Sequence, residues 1–441
     1  MRVVHLPFTF FPDAVGGTEI YVQALVQELG ELGCEGIIAA PSGVAAVYWH
    51  EGVKVQRFAL SPTGLGLREL YGEGDPHVAA QFAELLDAEK PDVVHLHAFT
   101  SAISQRLVLE SVRRGIPVVF TYHTPTVSCQ RGTLMRWGRA VCDGEMVRRR
   151  CTQCTVHGLG LNRTASRVLG FLPPALAQCV GVASGQSRLW TALRMSELVE
   201  LRHNATRVLL REVDAVVALC TWTRELLIRN AVSPDKIALS RHGLLRRGQR
   251  PLSRRVDRAV GKPLRLAYLG RLHPTKGVEL LVRAVRAAAN AAVELDLYGI
   301  VQGPADEQYG RQLTNLSADD GRIRFFEPVA VEQVQSALER YDMLAVPSQG
   351  LETGPLVVLE AFDVGIPVLG SALGGIAELV QHGVNGLLVE PHDEVGAWTL
   401  MLETLVAKPG MVRQLAGGVR PPRGMDSVAR EMMVTYESVL R

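Results

Sequence analysis

Two glutamates, Glu352 and Glu360, are spaced so that they could hold the hydroxyl groups of a sugar-containing ligand. They follow residues 342–348, which read as a buried strand that ends at a turn, and Glu352 lies in a loop rich in Gly and Pro. Glu360 falls on the helix predicted next. A loop that leads into a helix N-terminus offers unpaired N–H groups and the positive end of the helix dipole, which favour a diphosphate. Either glutamate alone fits an ordinary helix-cap or solvated acid, so only the pair in its context indicates a site.

Two cations, Arg271 and Lys276, lie in a second strand–loop–helix segment over residues 266–277. Fixed cations suit a leaving group that gains negative charge, such as a nucleoside diphosphate. The chain has 47 Lys and Arg residues, only six of which are lysines, so a lysine at this place is notable. The alternative is a surface cation pair at the start of a helix.

The first half of the chain contributes two weaker signals. Gly16 and Gly17 follow the first predicted strand, and glycine lets a ligand approach the backbone closely. The run is not a G-x-G-x-x-G dinucleotide fingerprint. His123 ends the predicted strand Val118–Tyr122, a position where a lone histidine is more often structural than functional.

Four of the seven cysteines are close together in sequence, and one pair is a C-x-x-C. This set suits a tetrahedral structural zinc ion with no position open for water. Reduced cysteines or a redox pair are the alternative, and a disulfide is disfavoured if the protein is cytoplasmic. The four candidate ligands are Cys129, Cys142, Cys151 and Cys154.

Short apolar runs alternate with amphipathic helical patterns, and this order occurs twice along the chain. Runs that are apolar throughout are typical of parallel strands buried on both faces. The α/β order therefore predicts two Rossmann-like domains with parallel sheets that face a cleft, and ligands bind at the carboxyl ends of such strands. We expect an N-terminal domain at 1–243, a linker at 244–262, a C-terminal nucleotide-binding domain at 263–415 and a helical segment at 416–441.

Charge is balanced overall but not locally. The net charge of +2 argues against a protein that binds nucleic acid through its overall charge. Residues 129–211 depart from the alternation and carry 13 arginines against 4 acids, a local excess of +9. This insert is either a solvated basic surface or a dock for an anionic acceptor or an anionic membrane surface.

The first residues and the hydropathy of the chain bear on its cellular location. The first residues read directly as a strand, with no apolar signal segment, and no run of about 18 uncharged apolar residues occurs. We expect a cytoplasmic protein, with peripheral membrane contact left open.

The segment from Glu352 to Glu360 resembles the E-x7-E signature of retaining glycosyltransferases of family 4, which have the GT-B fold. The run from Arg271 to Gly277 is similar to the family's G-R-x-x-x-x-K-G segment, and five such segments agree in order and place. The resemblance spans roughly residues 1–415, and a subset of the family has a similar cysteine-rich insert. It also implies a C-terminal helix that crosses back to the first domain.

The resemblance implies a role for each matched residue. Arg271 and Lys276 would hold the donor diphosphate, Glu352 the donor sugar and Glu360 the ribose hydroxyls. Catalysis would rest on Glu352, Arg271, Lys276 and His123, with no divalent metal, because no Asp-x-Asp motif follows a strand. The remaining donor-binding positions are Gly16, Gly17, Gly354, Leu356 and Val357.

Two positions depart from the family pattern. Glu327-Pro328 stands where the family usually has glycine beside the nucleotide base, and Arg241-His242-Gly243 stands where it often has Asn-Gly. The donor base and sugar are therefore unassigned, and the resemblance implies a UDP-, GDP- or dTDP-sugar. The acceptor is also unassigned, with an anionic or lipid-linked glycan or a natural product as candidates. A sugar-nucleotide epimerase or hydrolase of the same fold and a non-catalytic nucleotide-sugar binder are the alternative functions.

Overall fold

The computed structural model describes residues 1–13, 16–180, 188–245 and 262–441. The chain divides into two compact units, one formed by Met1–Arg241 with Met425–Arg441 and the other by His242–Gly424. Most of the predicted linker 244–262 lies outside the described residues.

The first unit contains an eight-stranded sheet and a separate hairpin. The strand order of the sheet is β10-β9-β6-β5-β1-β2-β4-β3. All neighbouring strands are parallel except that β3 pairs antiparallel with β4. The hairpin β7–β8 lies in the basic insert. The strands are β1 Arg2–Leu6, β2 Glu35–Ser42, β3 Ala46–His50, β4 Val53–Ala59, β5 Val93–Leu96, β6 Val118–Tyr122, β7 Met135–Arg136, β8 Ala140–Val141, β9 Ala215–Ala218 and β10 Ile237–Leu239.

Helices cover this sheet and build the insert. The described part of the insert contains four helices besides its hairpin, and they surround a small apolar core that includes Val156, Met195 and Leu198. The helices are α1 Gly17–Glu31, α2 Pro76–Glu89, α3 Gln105–Arg113, α4 Arg148–Gly158, α5 Arg163–Leu169, α6 Pro174–Val180, α7 Arg188–Glu212 and α8 Thr221–Arg229.

The second unit is a six-stranded, fully parallel sheet in the order β13-β12-β11-β14-β15-β16. Apolar clusters pack on its two faces. The strands are β11 Leu264–Arg271, β12 Val293–Ile300, β13 Ile323–Phe326, β14 Met343–Val346, β15 Val368–Ser371 and β16 Gly386–Val389, and the helices are α9 Val278–Ala287, α10 Pro304–Ser317, α11 Val334–Leu338, α12 Leu356–Asp363, α13 Gly374–Leu379, α14 Val395–Ala407 and α15 Pro409–Gly418.

The last helix, α16 Met425–Val439, returns to the first unit and packs against α1. The prediction of two Rossmann-like sheets with a C-terminal helix that crosses back is therefore confirmed. Among the described residues, no helix is both long enough and apolar enough to span a membrane.

Some elements were not predicted. β3 is an edge strand whose Val47 and Trp49 side chains are exposed, so it lacks the buried apolar run that reveals a central strand. The hairpin β7–β8 has two residues per strand, which is too short for any periodicity to show.

Candidate functional site

Arg271 is the last residue of β11, so it projects from the carboxyl end of a central strand. Its Nε donates to Asp306 Oδ2 at 2.8 Å, and Asp306 is a buried acid in the first turn of α10. Burial alone would raise the pKa of Asp306, but the Arg271 guanidinium, the Gln302 N–H and nearby His273 together hold that pKa below its ordinary value. Sequence reasoning missed Asp306, although an acid in a first helical turn near a cationic strand end was the available signal.

Lys276 and Glu352 meet in the structure. Lys276 Nζ lies 2.6 Å from Glu352 Oε1, and Ser348 Oγ donates to the same oxygen at 2.9 Å. Both charged side chains are partly exposed, so they remain accessible to a ligand. The structure therefore brings together the cation and the carboxylate that were singled out in separate segments.

Gly277 explains why the two segments can come so close. Its φ of +70° is in the left-handed region, and a Cβ there would lie 1.9 Å from the Pro347 carbonyl oxygen. The Thr275 carbonyl accepts hydrogen bonds from Gln349 N–H at 2.7 Å and Gly350 N–H at 3.2 Å. Only glycine allows the lysine loop to lie directly on the loop after β14.

Gly375 shapes the glutamate loop from the other side. Its N–H donates to the Glu352 carbonyl at 2.7 Å, and a Cβ there would lie 2.6 Å from that oxygen and 2.7 Å from Gly354 N. The Gly-Gly segment at the start of α13 is thus a packing surface for the loop that carries Glu352.

The loop ends at the N-terminus of α12. This helix begins at Leu356, and no side chain of the described residues caps it, so Leu356 and Val357 lie in a first turn whose N–H groups are suited to an anion. Gly354, just before it, has a φ of +135° and packs on the buried His242, a Cβ there lying 3.0 Å from His242 Nδ1.

Glu360 follows one turn further along α12. Among the described residues it makes no hydrogen bond or ion pair, and burial raises the pKa of its carboxyl to about 7. Ligand hydroxyls could supply the donors that the protein does not.

Residues 297–299 and 325–329, which resemble the family's segments beside the nucleotide base, place aromatic rings near the ends of β12 and β13. Tyr298 stacks on Phe326 with ring centroids 5.1 Å apart, and its hydroxyl lies 2.6 Å from that of Tyr341. Glu327 and Pro328 are exposed.

The other predicted positions lie in the first unit. Gly16 precedes α1 and its N–H donates to Glu19 Oε2 at 2.9 Å, while Gly17 is the first residue of α1. Ala14 and Val15 of the same loop lie outside the described residues. His123 directly follows β6 and is buried, with Nε2 3.1 Å from His97 Nδ1.

The contact of His123 with other histidines was not predicted. His5, His95 and His97 are all buried and bring one ring nitrogen each within 4.8 Å of the others. Their signal in the sequence was the pair of histidines two residues apart at the end of β5.

The four predicted zinc ligands line one cavity of about 30 Å³, large enough for an ion and too small for a sugar. Cys154 Sγ accepts from Trp137 N–H at 3.3 Å, and burial together with the neighbouring Cys129 and Cys142 raises the pKa of Cys151 to about 12. However, no three of the described cysteines bring their sulfurs within 4.8 Å of one another. Thiolates fit zinc in type and enclosure, but this spacing is wider than a zinc site requires.

Comparison with known proteins agrees with this geometry. The family model described as "Glycosyl transferase 4-like domain" matches residues 16–243, more than half of the chain, and the model described as "Glycosyl transferases group 1" matches residues 263–408.

Individual relatives agree with the family models. The chain is 33% identical over 186 residues to a D-inositol 3-phosphate glycosyltransferase of Corynebacterium efficiens, a match covering 39% of this chain and 43% of that protein. It is 27% identical over 429 residues to the protein of the same name from Salinispora arenicola, covering 92% of this chain and 82% of the relative. The chain thus spans about half the length of the first of these relatives.

A solved structure shows the fold. HepE of Anabaena in complex with UDP and glucose superposes with a TM-score of 0.63 at 15% identity, covering 99% of this chain and 100% of that one. With the two family models, this establishes that the chain belongs to glycosyltransferase family 4 and has the GT-B fold.

Proposed function

We propose that this protein transfers a glycosyl group from a nucleoside-diphosphate sugar to an acceptor with retention of anomeric configuration. The observation that carries the proposal is the meeting of Lys276 and Glu352 beside the uncapped N-terminus of α12. A cation, a carboxylate and free amides at one place match a diphosphate joined to a sugar.

The cations and amides act on the leaving group. As the bond from the anomeric carbon to the diphosphate oxygen breaks, negative charge grows on the diphosphate. Lys276, Arg271 and the first N–H groups of α12, those of Leu356 and Val357, would meet that charge without reorganising, which lowers the barrier. Asp306 holds Arg271 at the strand end through the bond described above. Because these groups neutralise the leaving group, we infer that no divalent metal is needed.

The remaining residues orient the donor. Glu352 would accept hydrogen bonds from sugar hydroxyls, and Glu360 from the ribose hydroxyls. Gly354 lets the backbone approach the sugar. His123, with Gly16 and Gly17, would contact the sugar and phosphate from the first unit.

Retention in a single step requires the acceptor to approach on the face that the leaving group departs from, and we propose this route for the transfer. The acceptor oxygen forms the new bond to the anomeric carbon, the bond to the diphosphate breaks, and a diphosphate oxygen takes the acceptor proton. HepE, solved with UDP and glucose, supports a uridine nucleotide as the first donor to try.

A donor screen with product analysis tests the proposal. UDP-, GDP- and dTDP-sugars are incubated with the protein and a panel of acceptors, and the anomeric configuration of the product is read by NMR. An inverted product contradicts the mechanism. Consumption of donor without acceptor indicates an epimerase or hydrolase, and donor binding without any turnover indicates a non-catalytic binder.

We infer that the acceptor is anionic and is presented at a membrane surface. All four acids of the insert are ion-paired with its arginines, for example Asp143 with Arg150 and Glu197 with Arg194. The excess positive charge therefore remains, and some arginines are exposed without an ion pair among the described residues: Arg136, Arg139, Arg167 and Arg188.

Exposed apolar side chains accompany these arginines. Phe171 is 58% exposed and has the Arg149 guanidinium 3.5 Å from its ring centroid. Basic and apolar groups together suit a membrane interface with anionic lipids. The relatives are named for D-inositol 3-phosphate, which is an anion, and this supports a negatively charged acceptor here. Other exposed apolar side chains of the insert are Val168, Leu176 and Leu189.

Vesicle sedimentation tests the membrane part of this proposal. The protein should sediment with phosphatidylglycerol vesicles and not with phosphatidylcholine vesicles, and Phe171→Ser should lower the bound fraction. Leu400→Ser is the matched control, because Leu400, on the second unit, is 65% exposed, slightly more than Phe171. No sedimentation with either vesicle would leave a soluble anionic acceptor instead.

The four-cysteine cavity stays our candidate structural zinc site. Binding would have to draw the sulfurs together, and it would stabilise an insert whose own apolar core is small. No step of the transfer depends on it.

A further inference from the structure

Four histidines share one face of the sheet in the first unit. His5 on β1 is in register with His95 on the neighbouring β5, and His97 is two residues further on. Side chains two apart in a strand lie on the same face, so His97 extends this row toward the strand end, where His123 follows β6. Tyr21 of α1 packs edge-on against His123 with ring centroids 4.9 Å apart, which encloses the row.

Three of these rings form a continuous chain. His5 Nδ1 lies 3.1 Å from His97 Nε2, and His97 Nδ1 lies 3.1 Å from His123 Nε2. Both nitrogens of His97 are therefore engaged, one toward the core and one toward the predicted donor-contacting histidine.

His95 is held separately. Its Nδ1 lies 2.7 Å from the Tyr436 hydroxyl of α16, and its Nε2 lies 2.7 Å from Thr121 Oγ1. These two bonds fix its ring, which lies with its centroid 3.9 Å from that of His97.

The two inner rings of this chain, His5 and His97, are electrically neutral. Burial lowers the pKa of His5 to about 3, and burial together with the neighbouring histidines lowers the pKa of His97 well below its ordinary value. A neutral imidazole has one donor and one acceptor nitrogen. Each of the two nitrogen–nitrogen contacts must therefore hold one proton, and the protons must all point the same way.

Only two arrangements satisfy both contacts, and they differ at the ends. If the protons are on Nδ1 of His5 and Nδ1 of His97, then His123 Nε2 accepts and neutral His123 carries its own proton on Nδ1. If the protons are on His97 Nε2 and His123 Nε2, then His5 must carry its proton on Nε2. His5 Nε2 is buried without a hydrogen-bond partner among the described residues.

The His5 end of the chain of rings distinguishes the two proton arrangements. The second arrangement places an N–H donor at His5 Nε2, where the described part of the chain offers no acceptor, whereas the first leaves only a lone pair there. Buried N–H groups without an acceptor are the rarer case in folded proteins.

We infer that His97 is a positioning residue that holds His123 as the Nδ1–H tautomer, so that His123 donates a hydrogen bond to a hydroxyl of the donor sugar. The inference deepens the proposed function, because it rests on the role proposed there for His123. The tautomers of His97 and His123 are therefore fixed by the buried Nε2 of His5, at the other end of the chain of rings.

A metal ion is the competing interpretation of the same cluster. His5, His95 and His97 could each offer one nitrogen to a transition metal. Hydrogen bonding is favoured because both nitrogens of His95 already have hydroxyl partners and because 3.1 Å is a normal hydrogen-bond distance. The set also contains no carboxylate to balance a buried divalent charge.

Nitrogen-15 NMR of histidine-labelled protein tests the tautomer without any need for activity. The chain has 12 histidines, so the His123 signals are assigned by their loss in His123→Gln. We expect wild-type His123 to show a protonated Nδ1 and an unprotonated Nε2. The Nε2–H tautomer in the wild type would overturn the inference, as would a stoichiometric metal that is lost in His5→Gln and retained in Cys151→Ser.

Two substitutions of His97 separate positioning from packing. Asn can place its amide near the Nδ1 position and keep the bond to His123, whereas Gln reaches the Nε2 position and keeps only the bond to His5. We expect His97→Gln to lower kcat about 10-fold, the effect of losing one hydrogen bond in the transition state. The KM for the donor should be nearly unchanged. His97→Asn should remain within about 3-fold of wild type, since it preserves that bond.

Equal losses in the two variants, at matched thermal stability, would mean that His97 only fills space. If the protein transfers nothing to any acceptor, the proposed function fails, and the NMR measurement still decides the tautomer.

Discussion

The loops around Lys276 and the cysteine-containing insert differ in how their motif residues are held together. In the second unit, the motif residues meet because glycines allow backbone to touch backbone, as at Gly277 and Gly375. In the insert, the four cysteines share a cavity without reaching coordination distances. A site held by backbone contacts is formed by the fold itself, whereas a site held by side chains around an ion depends on the ion.

The largest effect should come from the lysine at the centre of the first region. Lys276→Ala is expected to lower kcat/KM for the nucleotide sugar about 100- to 1,000-fold, because a fixed cation that meets the leaving-group charge is lost. Steady-state kinetics measure this, with circular dichroism to confirm folding. Lys408→Ala is the matched control, since Lys408 is an exposed lysine of the same unit, at the end of α14. Full activity of Lys276→Ala would remove the basis for the proposed site.

Metal analysis addresses the second region. We expect freshly purified protein to contain about one zinc per chain, and Cys151→Ser to lose most of it, because a structural site needs all four ligands. Cys220→Ser, which changes a buried cysteine outside the cluster, should keep the zinc. Less than about 0.2 zinc per chain in the wild type would show that the cysteines are simply reduced thiols.

The backbone contact itself can be broken in the second unit. Gly277→Ala should lower the free energy of unfolding by about 3 kcal/mol, since the new Cβ meets the Pro347 carbonyl and the backbone is left-handed there. Urea denaturation measures the change. Gly396→Ala should be neutral or stabilising, because nothing lies within 4 Å of a Cβ added in that helix. Equal stability of the two variants would mean that the loops are not locked together as described.

The smallest expected effect concerns Glu360. With a folded pKa of about 7, the carboxyl is mostly protonated at pH 6 and mostly ionised at pH 8. If the carboxylate accepts the ribose hydroxyls, affinity for the nucleotide sugar should be up to about 10-fold weaker at pH 6 than at pH 8. Calorimetric titration at both pH values measures this, and Glu360→Gln should abolish the dependence.

The same shift affects stability with a definite sign. Because the folded pKa lies above the ordinary value of 4.5, the folded state favours the protonated carboxyl. Its contribution to stability is therefore full at low pH and is lost as the pH rises through about 7. Glu360→Gln should be more stable than wild type at pH 8 and similar to it at pH 5.

Prediction from sequence worked best where local and global signals coincide. Central strands such as β5 and β9 are apolar throughout because both of their faces are buried, so their runs are visible in the sequence. The edge strand β3 is exposed and left no such run. The sequence placed Arg271, Lys276 and Glu352 after strands, in segments with a recognisable turn or helix start, and the structure brings Lys276 and Glu352 into contact; their roles stay a prediction.

Partners far apart in sequence could not be predicted in this way. Asp306 binds Arg271 across 35 residues, and His97 links His5 to His123 across three strands. The acid in the first turn of α10 and the two histidines at the end of β5 are local signals, but neither shows which residue each one will contact. Those contacts form only when the sheet aligns the strands.

The amino-acid pattern alone was enough to predict the family and the two parallel sheets, and it supplies the residues that we propose for the diphosphate, since apolar periodicity and the motif residues are local properties of the chain. The tertiary structure alone decided which of those residues touch, what holds each of them, and how far apart the cysteine sulfurs lie. The physical reason is that a hydrogen bond or an ion pair depends on distances of a few ångströms, and those distances are set by packing between elements that the sequence separates.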